Sequence, residues 1–222
     1  MRFSCGRSKS PSRRVAIAVL GLALFAGADA PDPAALALAS LQARYDRIND
    51  FRAAFVQEAH VAALARDDVS RGRVSVRRPG HMRWQYTEPE PRVIVVDAST
   101  IRLYSPAESQ LQIISVSSST FSPTALTLLF GEGRLDESFS PELIDSDADQ
   151  LGLRLRPRGD AAFEYLEVWL RASDSQLLAS VVVDLFGNRT RIRFEDIVEN
   201  AGIDDAEFTV VVPEGTEIID LR

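Results

Sequence analysis

The sequence predicts a mainly β protein of the α+β class, built on one large antiparallel sheet with two helical segments. Three observations support this prediction. Apolar residues recur at every second position through most of the chain after Phe51. The turns between these segments are too short to contain crossover helices, so neighbouring strands should run antiparallel. Ten or so strands in one sheet must either curl or split into the two layers of a sandwich, and both architectures would use the same strands.

The N-terminal segment is expected to be a signal peptide covering residues 1–28. Five basic residues and no acidic ones precede the apolar run Val15–Phe25, which is too short to span a bilayer. Cleavage after Ala28 would leave Asp29 first, whereas cleavage after Ala30 would place a proline at the new terminus. The only cysteine, Cys5, precedes the apolar run, so we expect no lipid anchor and no disulfide in the mature chain.

The remaining residues, 29–222, would form a single domain of ~190 residues, which is long enough to bury its own hydrophobic core. Without the leader the chain has 20 basic and 32 acidic residues, a net charge of about −12. This acidic balance argues against nucleic acid as a partner and against tight binding to anionic lipid headgroups. No cofactor is expected, and we expect a monomer in the periplasm.

The first helix is predicted from Pro33 to Ile48. Asp32 stands at the N-cap position with proline following it, and apolar residues then recur at helical spacing. A second helix is predicted after Ser122-Pro123, with Leu126, Leu129 and Phe130 forming its apolar stripe and glycines 131 and 133 ending it.

Strands are predicted where the period of two holds. The first begins at Phe51, and the next two contain Val74 with Val76 and Met82 with Trp84 and Tyr86. The remaining predicted strands are Arg92–Val96, Ile101–Tyr104, Leu111–Val116, Gln150–Pro157, Phe163–Ala172, Gln176–Leu185, Thr190–Glu195 and Glu207–Val212. Two short helices could cover an apolar concave face of such a sheet without filling it, which favours a pocket.

Several motifs in a fixed order carry a family resemblance. The central one reads Gly72-x5-Arg78-Pro79-Gly80-x2-Arg83-Trp84-x-Tyr86-x2-Pro89, and Val93-Ile94-Val95-Val96-Asp97 and Leu103-Tyr104 follow it. The others are Phe51-x3-Phe55-x-Gln57, Pro123-x4-Leu128-Leu129, Phe194-x2-Ile197-x2-Asn200 and Phe208-x3-Val212-Pro213-x-Gly215. Together they resemble the LolA family of periplasmic lipoprotein carriers from about Leu41 to Ile219. The turn Asp97-Ala98-Ser99 departs from the family's usual Asp-Gly.

The resemblance implies a curled half-barrel whose concave face is covered by helices and holds the acyl chains of lipoproteins. It also implies an inner-membrane ABC-type transporter as donor and an outer-membrane lipoprotein receptor as acceptor. An alternative with the same fold is a periplasmic carrier of another lipid or a glycolipid. A regulatory sensor would need a further domain, and a hydrolase would need a nucleophile motif; the sequence contains neither.

Arg78 is the most informative candidate residue. Counting by two from Val74 and Val76 places it on their apolar face, where a charge is costly unless it is hydrogen-bonded. The family's arginine at this position bonds main-chain carbonyls and holds a helical lid closed. From the residues alone, an arginine at a strand end whose head reaches solvent is the simpler interpretation. Arg73 and Arg77 should point to the opposite face.

The predicted lining of the acyl cavity is a set of apolar residues that could equally form an ordinary core. The set comprises Phe55, Val74, Val76, Met82, Trp84, Tyr86, Leu126, Leu129 and Phe130. The triplet Asp145-x-Asp147-x-Asp149 is similar to a calcium loop but lacks its glycine and glutamate, so we predict a solvated turn there.

Overall fold

The computed structural model of the protein describes Met1 and residues 32–97, 99–116 and 133–222. The chain divides into residues 1–30 and 31–222, and the description below concerns the second unit. The predicted signal peptide, the predicted helix after Ser122 with its apolar stripe, and Ala98 lie outside the described residues. No helix in the described part is long and apolar enough to cross a bilayer.

Helix α1 runs from Pro33 to Tyr45. The Asp32 carboxylate accepts the N–H of Ala34 at 3.0 Å, which confirms the predicted N-cap. The helix ends three residues earlier than predicted, with Asp46 as its C-cap. Helix α2 is a single turn, Leu135–Ser138.

Twelve strands in the described residues form one curled, unclosed sheet. They are β1 (Asp50–Val61), β2 (Arg66–Arg77), β3 (His81–Glu88), β4 (Arg92–Val96), β5 (Thr100–Ser105), β6 (Gln110–Ser115), β7 (Phe139–Ser146), β8 (Gln150–Pro157), β9 (Phe163–Arg171), β10 (Leu177–Asp184), β11 (Arg189–Glu199) and β12 (Glu217–Asp220). Their order is β12-β6-β5-β4-β3-β2-β1-β11-β10-β9-β8-β7. The prediction of a mainly β, curled sheet is therefore confirmed.

The sheet consists of two meanders, β1–β6 and β7–β11, that meet where β1 pairs with β11. At this seam Phe55 lies opposite Phe194. The predicted turn at Asp147 is confirmed. Asp147 accepts the N–H groups of Asp149 (2.8 Å) and Gln150 (2.7 Å) between β7 and β8, and Asp97 organises the turn before β5.

The inner face of the sheet carries two apolar clusters. In the first, α1 lies against the half of the sheet formed by β7–β9. Its buried members are Ala34, Leu38, Leu41, Tyr45, Leu135, Phe139, Leu153, Leu155, Phe163, Leu166, Val168 and Leu170. The second cluster lies on β1–β5 and consists of Ala53, Phe55, Val74, Val76, Met82, Trp84, Tyr86, Val96 and Ile101.

The C-terminal segment covers part of the outer face, and this corrects one prediction. The expected strand Glu207–Val212 does not form; a short 3-10 turn, Asp205–Phe208, stands there instead. Arg83 donates to the carbonyls of Glu207 (3.2 Å) and Thr209 (3.1 Å), so those carbonyls are bound by a side chain rather than by a neighbouring strand. The last strand is β12, and it pairs in parallel with β6.

A second correction concerns β7, which the sequence did not predict. Pro141 lies within this strand, and β7 forms an edge of the sheet. An edge strand tolerates proline because one of its sides needs no N–H donors.

Candidate functional site

The predicted lining residues that the structure describes come together on the inner face. Phe55, Val74, Val76, Met82, Trp84 and Tyr86 are all members of the second cluster, and each is at most 9% exposed. Their alternation in β1, β2 and β3 places them on one side, as the period of two predicted. Leu126, Leu129 and Phe130 lie outside the described residues, so their place in the lining stays a prediction.

Gly72 allows the aromatic rings of this cluster to pack closely. It pairs with Phe55 on one side and Tyr86 on the other. A Cβ atom added to Gly72 would lie 2.9 Å from a ring carbon of Phe55. The Phe55 ring meets Trp84 edge-on with centroids 4.7 Å apart, and meets Tyr86 in the same way at 5.1 Å. Such edge-to-face pairs stabilise beyond the area they bury.

The polar atoms of these aromatic residues have partners. The Tyr86 hydroxyl donates to Gln57 Oε1 at 3.0 Å, and the Trp84 indole N–H donates to Met82 Sδ at 2.6 Å. Burial raises the pKa of Tyr86, and the nearby charge of Arg92 partly offsets this. The Arg92 guanidinium lies 4.8 Å from the Tyr86 ring centroid. The hydroxyl therefore stays neutral at physiological pH.

A cavity of about 50 Å³ opens between this cluster and the C-terminal end of α1. Most of its described lining is apolar: Tyr45, Ile48, Phe51, Val74, Val76, Met82, Trp84, Leu177, Phe194 and Ile197. Its polar rim consists of Arg44, Asn49, Asp50, Arg78, Gln176, Ser180 and Glu199. Phe55 and Tyr86 pack behind Trp84. Sequence reasoning missed the contribution of β10 and β11, because no local signal shows that β11 lies beside β1.

Arg78 lies at this cavity on the same face as Val74 and Val76, as predicted. One of its guanidinium N–H groups donates to the main-chain carbonyl of Tyr45, at the end of α1. The guanidinium also lies 5.5 Å from the Tyr45 ring centroid. A cation at the last carbonyls of a helix interacts favourably with the helix dipole. Burial raises the pKa of the Tyr45 hydroxyl, which the charge of Arg78 partly counteracts.

A second arginine fixes the end of α1 to the sheet. Arg44 makes a bidentate pair with Glu199, with Nη2 at 2.7 and 2.9 Å from the two carboxylate oxygens. Its Nη1 is 3.2 Å from the carboxylate of Asp174. Burial works against ionisation of Asp174, but the N–H of Gln176 and the charge of Arg44 outweigh it and lower the pKa. The helix end beside the cavity is therefore anchored by ion pairs.

Arg73 and Arg77 are on the outer face, as predicted, but their surroundings differ. Arg73 is exposed. Arg77 donates to the carbonyl of Ile203 at 3.1 Å, pairs with Asp205 and lies 5.0 Å from the centroid of the Phe208 ring. It thus holds the C-terminal segment against the sheet and cannot serve as a neutral comparison for Arg78.

Asp50 and Asn200 close the seam between β1 and β11 near the cavity. The Asp50 carboxylate accepts the N–H groups of Ala201 (2.7 Å) and Gly202 (3.1 Å). The Asn200 side chain accepts the N–H of Asn49 at 2.8 Å, and its backbone is left-handed, with φ of 54°. Asparagine is among the few residues that tolerate this conformation, and it ends the motif that begins at Phe194.

Comparison with known proteins finds relatives in sequence and a solved structure of similar fold. An outer-membrane lipoprotein carrier protein of Chromohalobacter salexigens is 30% identical over 180 residues, which cover 81% of this chain and 84% of that protein. A protein of the same name from Alkalilimnicola ehrlichii is 30% identical, covering 82% and 83%. A crystal structure of an uncharacterized conserved protein from Thermus thermophilus shares the fold, with a TM-score of 0.54, 13% identity, and coverage of 84% and 98%.

Residues 46–211, three quarters of the chain, match the family described as outer membrane lipoprotein carrier protein LolA. The matched range includes the seam, the aromatic cluster and Arg78. The chain therefore belongs to the LolA family.

Proposed function

We propose that the protein is a periplasmic carrier that shields the acyl chains of lipoproteins against its inner face. It would take them from an inner-membrane ABC-type transporter and pass them to an outer-membrane lipoprotein receptor. Membership of the LolA family carries this proposal, since relatives over most of the chain are named outer-membrane lipoprotein carrier proteins. The protein would act by binding and release alone, without catalysis. The predicted signal peptide supports the periplasmic location.

The physical requirement for such a carrier is large. Each buried methylene contributes about 0.8 kcal/mol, so one long acyl chain costs on the order of 10 kcal/mol to leave in water. The aromatic and aliphatic side chains around Trp84 offer an apolar surface of the required kind. Met82 adds a flexible and polarisable group that can adapt to chains of different shape.

As bounded by the described residues, the cavity of about 50 Å³ has room for a few water molecules but not for an acyl chain. Loading must therefore separate side chains that pack together in this structure. In the described residues Arg78 joins the end of β2 to the end of α1, and we take this arrangement as the closed state. Leu126, Leu129 and Phe130, in the predicted second helix, would form the inner face of the part that moves.

Arg78 would set the balance between the closed and open states. Its described bond goes to the Tyr45 carbonyl and joins the end of β2 to the end of α1 across the cavity. The part that moves would therefore include this end of α1 as well as the predicted second helix. A hydrogen bond to a charged group contributes roughly 1.5–3 kcal/mol, enough to shift such an equilibrium more than tenfold. Breaking this bond on loading and re-forming it on release would favour delivery of the cargo.

The test of this role is the substitution Arg78→Leu, with Arg73→Leu as the matched control on the outer face. We expect Arg78→Leu to load acylated cargo but to transfer it poorly, because closure after release no longer gains a charged hydrogen bond. The measurement is transfer of a lipoprotein from purified carrier to membranes that contain the receptor, with thermal melting of each variant. Equal transfer by Arg78→Leu and the wild type would contradict the proposed role.

The cargo itself is tested by displacement. A fluorescent fatty-acid analogue should bind saturably and be displaced by a triacylated peptide. If a free lipid or a glycolipid displaces the analogue and the triacylated peptide does not, then the cargo is another lipid and not a lipoprotein. Fractionation of the producing cells tests the location.

A further inference from the structure

Two neighbouring hairpin turns place large apolar side chains in solvent. Leu64, in the turn between β1 and β2, is 68% exposed, and Leu185 and Phe186, in the turn between β10 and β11, are 65% and 86% exposed. The turns are in contact, because the N–H of Ala62 donates to Asn188 Oδ1 at 3.1 Å. We call residues 61–65 and 185–188 the apolar tip. Clustered exposed apolar side chains mark a contact surface more often than single ones do.

The apolar tip has no ionisable side chain, although 26% of the chain is charged. Its two segments read Val-Ala-Ala-Leu-Ala and Leu-Phe-Gly-Asn. Two arginines, Arg66 and Arg189, follow the segments directly. Their side chains are 64% and 45% exposed while they pair with Asp68 and Glu167. Each of these arginines is paired with an acid, and Asp67 and Asp184 also flank the segments. The surroundings of the tip thus carry both signs of charge, so attraction to a membrane would come from the apolar side chains.

Several backbone N–H groups of the apolar tip, in the turn between β10 and β11, have internal hydrogen-bond partners. The Asp184 carboxylate accepts the N–H groups of Phe186 (2.8 Å) and Asn188 (2.9 Å), and it also accepts the side-chain amide of Asn188 at 2.7 Å. The N–H of Gly187 donates to the Asp184 carbonyl at 3.1 Å. These amide groups can therefore leave water without losing their partners, which is what entry into an apolar phase requires.

The shape of the apolar tip indicates the occupant. Phe186 is 86% exposed, so its ring projects from the turn into solvent. An exposed end without ionisable side chains, in which the amides of Phe186, Gly187 and Asn188 have partners, fits the interfacial region of a lipid bilayer. We propose that the apolar tip is a membrane-contact site that inserts shallowly and reversibly into a phospholipid surface. The proposal goes beyond the carrier function, since it concerns the protein's approach to a membrane and not its cargo.

The test is binding of protein from the periplasmic fraction to vesicles of phosphatidylethanolamine with a minority of phosphatidylglycerol. We expect the double substitution Leu185→Ser and Phe186→Ser to weaken binding at least about tenfold, since each buried side chain of this size contributes roughly that factor. Val211→Ser is the matched control, because Val211 is 84% exposed in the C-terminal segment and outside the apolar tip. All variants carry the same N-terminal segment, so a difference between them reports on the apolar tip.

A second variant keeps the tip apolar. Tryptophan emission of Phe186→Trp should shift to shorter wavelength with vesicles and be quenched by brominated lipid. The proposal is overturned if wild type does not bind these vesicles, or if the double variant binds equally well. A third outcome is that the wild type does not bind vesicles and the double variant loses lipoprotein transfer. That result would show that the tip contacts a protein partner and not a membrane. Vesicle binding needs no cargo, so failure here leaves the carrier function untouched.

Discussion

Replacement of Gly72 by alanine should disturb the packing of the aromatic cluster, because a Cβ atom at this position has no room between β1 and β3. An added Cβ would lie 2.1 Å from the carbonyl oxygen of Gln85 in β3 and 2.9 Å from the ring of Phe55, against 3.4–4 Å for ordinary contact. The first neighbour is backbone and cannot rotate away. The pairing of β2 with β3 must therefore open by more than about 1 Å, which breaks at least one hydrogen bond between these strands.

The expected cost follows from these two contacts. Overpacking of this kind costs about 1–3 kcal/mol, and a lost ladder hydrogen bond adds about 1 kcal/mol. We therefore expect Gly72→Ala to lower the free energy of unfolding by about 2–4 kcal/mol, which corresponds to roughly 5–15 °C in Tm for a domain of this size. The emission of Trp84 should change as well, because its ring packs on Phe55.

The measurement is urea unfolding at equilibrium, followed by circular dichroism, with Gly159→Ala as the matched control. Gly159 is exposed, and a Cβ atom there would meet nothing within 4 Å. The control should change stability by less than about 0.5 kcal/mol. If Gly72→Ala is as stable as the control, then the close approach of Gln85 and Phe55 is not what requires glycine at this position.

Two further substitutions test the seam and the Asp97 turn. Asn200→Ala removes the side-chain hydrogen bonds of Asn200 and places alanine at a left-handed position. The free energy of unfolding, measured in urea, should therefore fall by about 2–3 kcal/mol. An unchanged value would show that the seam does not depend on these hydrogen bonds. Although burial favours the neutral form of Asp97, hydrogen bonds from Arg102, Ser99 and Thr100 hold its pKa well below the usual range. The carboxylate therefore contributes stability above its ordinary pKa near 4, which is lost as the pH falls through the lower, folded-state value. The Tm difference between wild type and Asp97→Asn should be constant above about pH 5 and shrink toward pH 2; a constant difference throughout would contradict this.

Local patterns predicted the parts of the site that lie close together in sequence. Alternation placed Met82, Trp84 and Tyr86 on one face, and counting by two placed Arg78 beside Val76. Both inferences rest on the pleat of a strand, which depends only on neighbouring residues.

What could not be predicted depends on contacts between distant segments. No local sequence pattern indicates that Phe194 lies opposite Phe55, so the contribution of β11 to the cavity was not predicted. The segment from Glu207 to Val212 alternates like a strand, yet Arg83 binds its carbonyls and Phe208 packs on the outer face. Tertiary contacts overrode the local preference in that case.

The two apolar clusters on the inner face have a kinetic consequence. Helix α1 covers the first with Leu38 and Leu41, and Tyr45 is the one buried member of this cluster in the described cavity lining. A guest that enters beside Trp84 would rearrange the second cluster and break the contact at Tyr45, while the rest of the first cluster would stay packed. Exchange of contents can then proceed on the microsecond-to-millisecond timescale of local motions, while the polypeptide as a whole unfolds far more slowly. The rate at which the carrier exchanges its contents would thus be independent of the rate at which it unfolds.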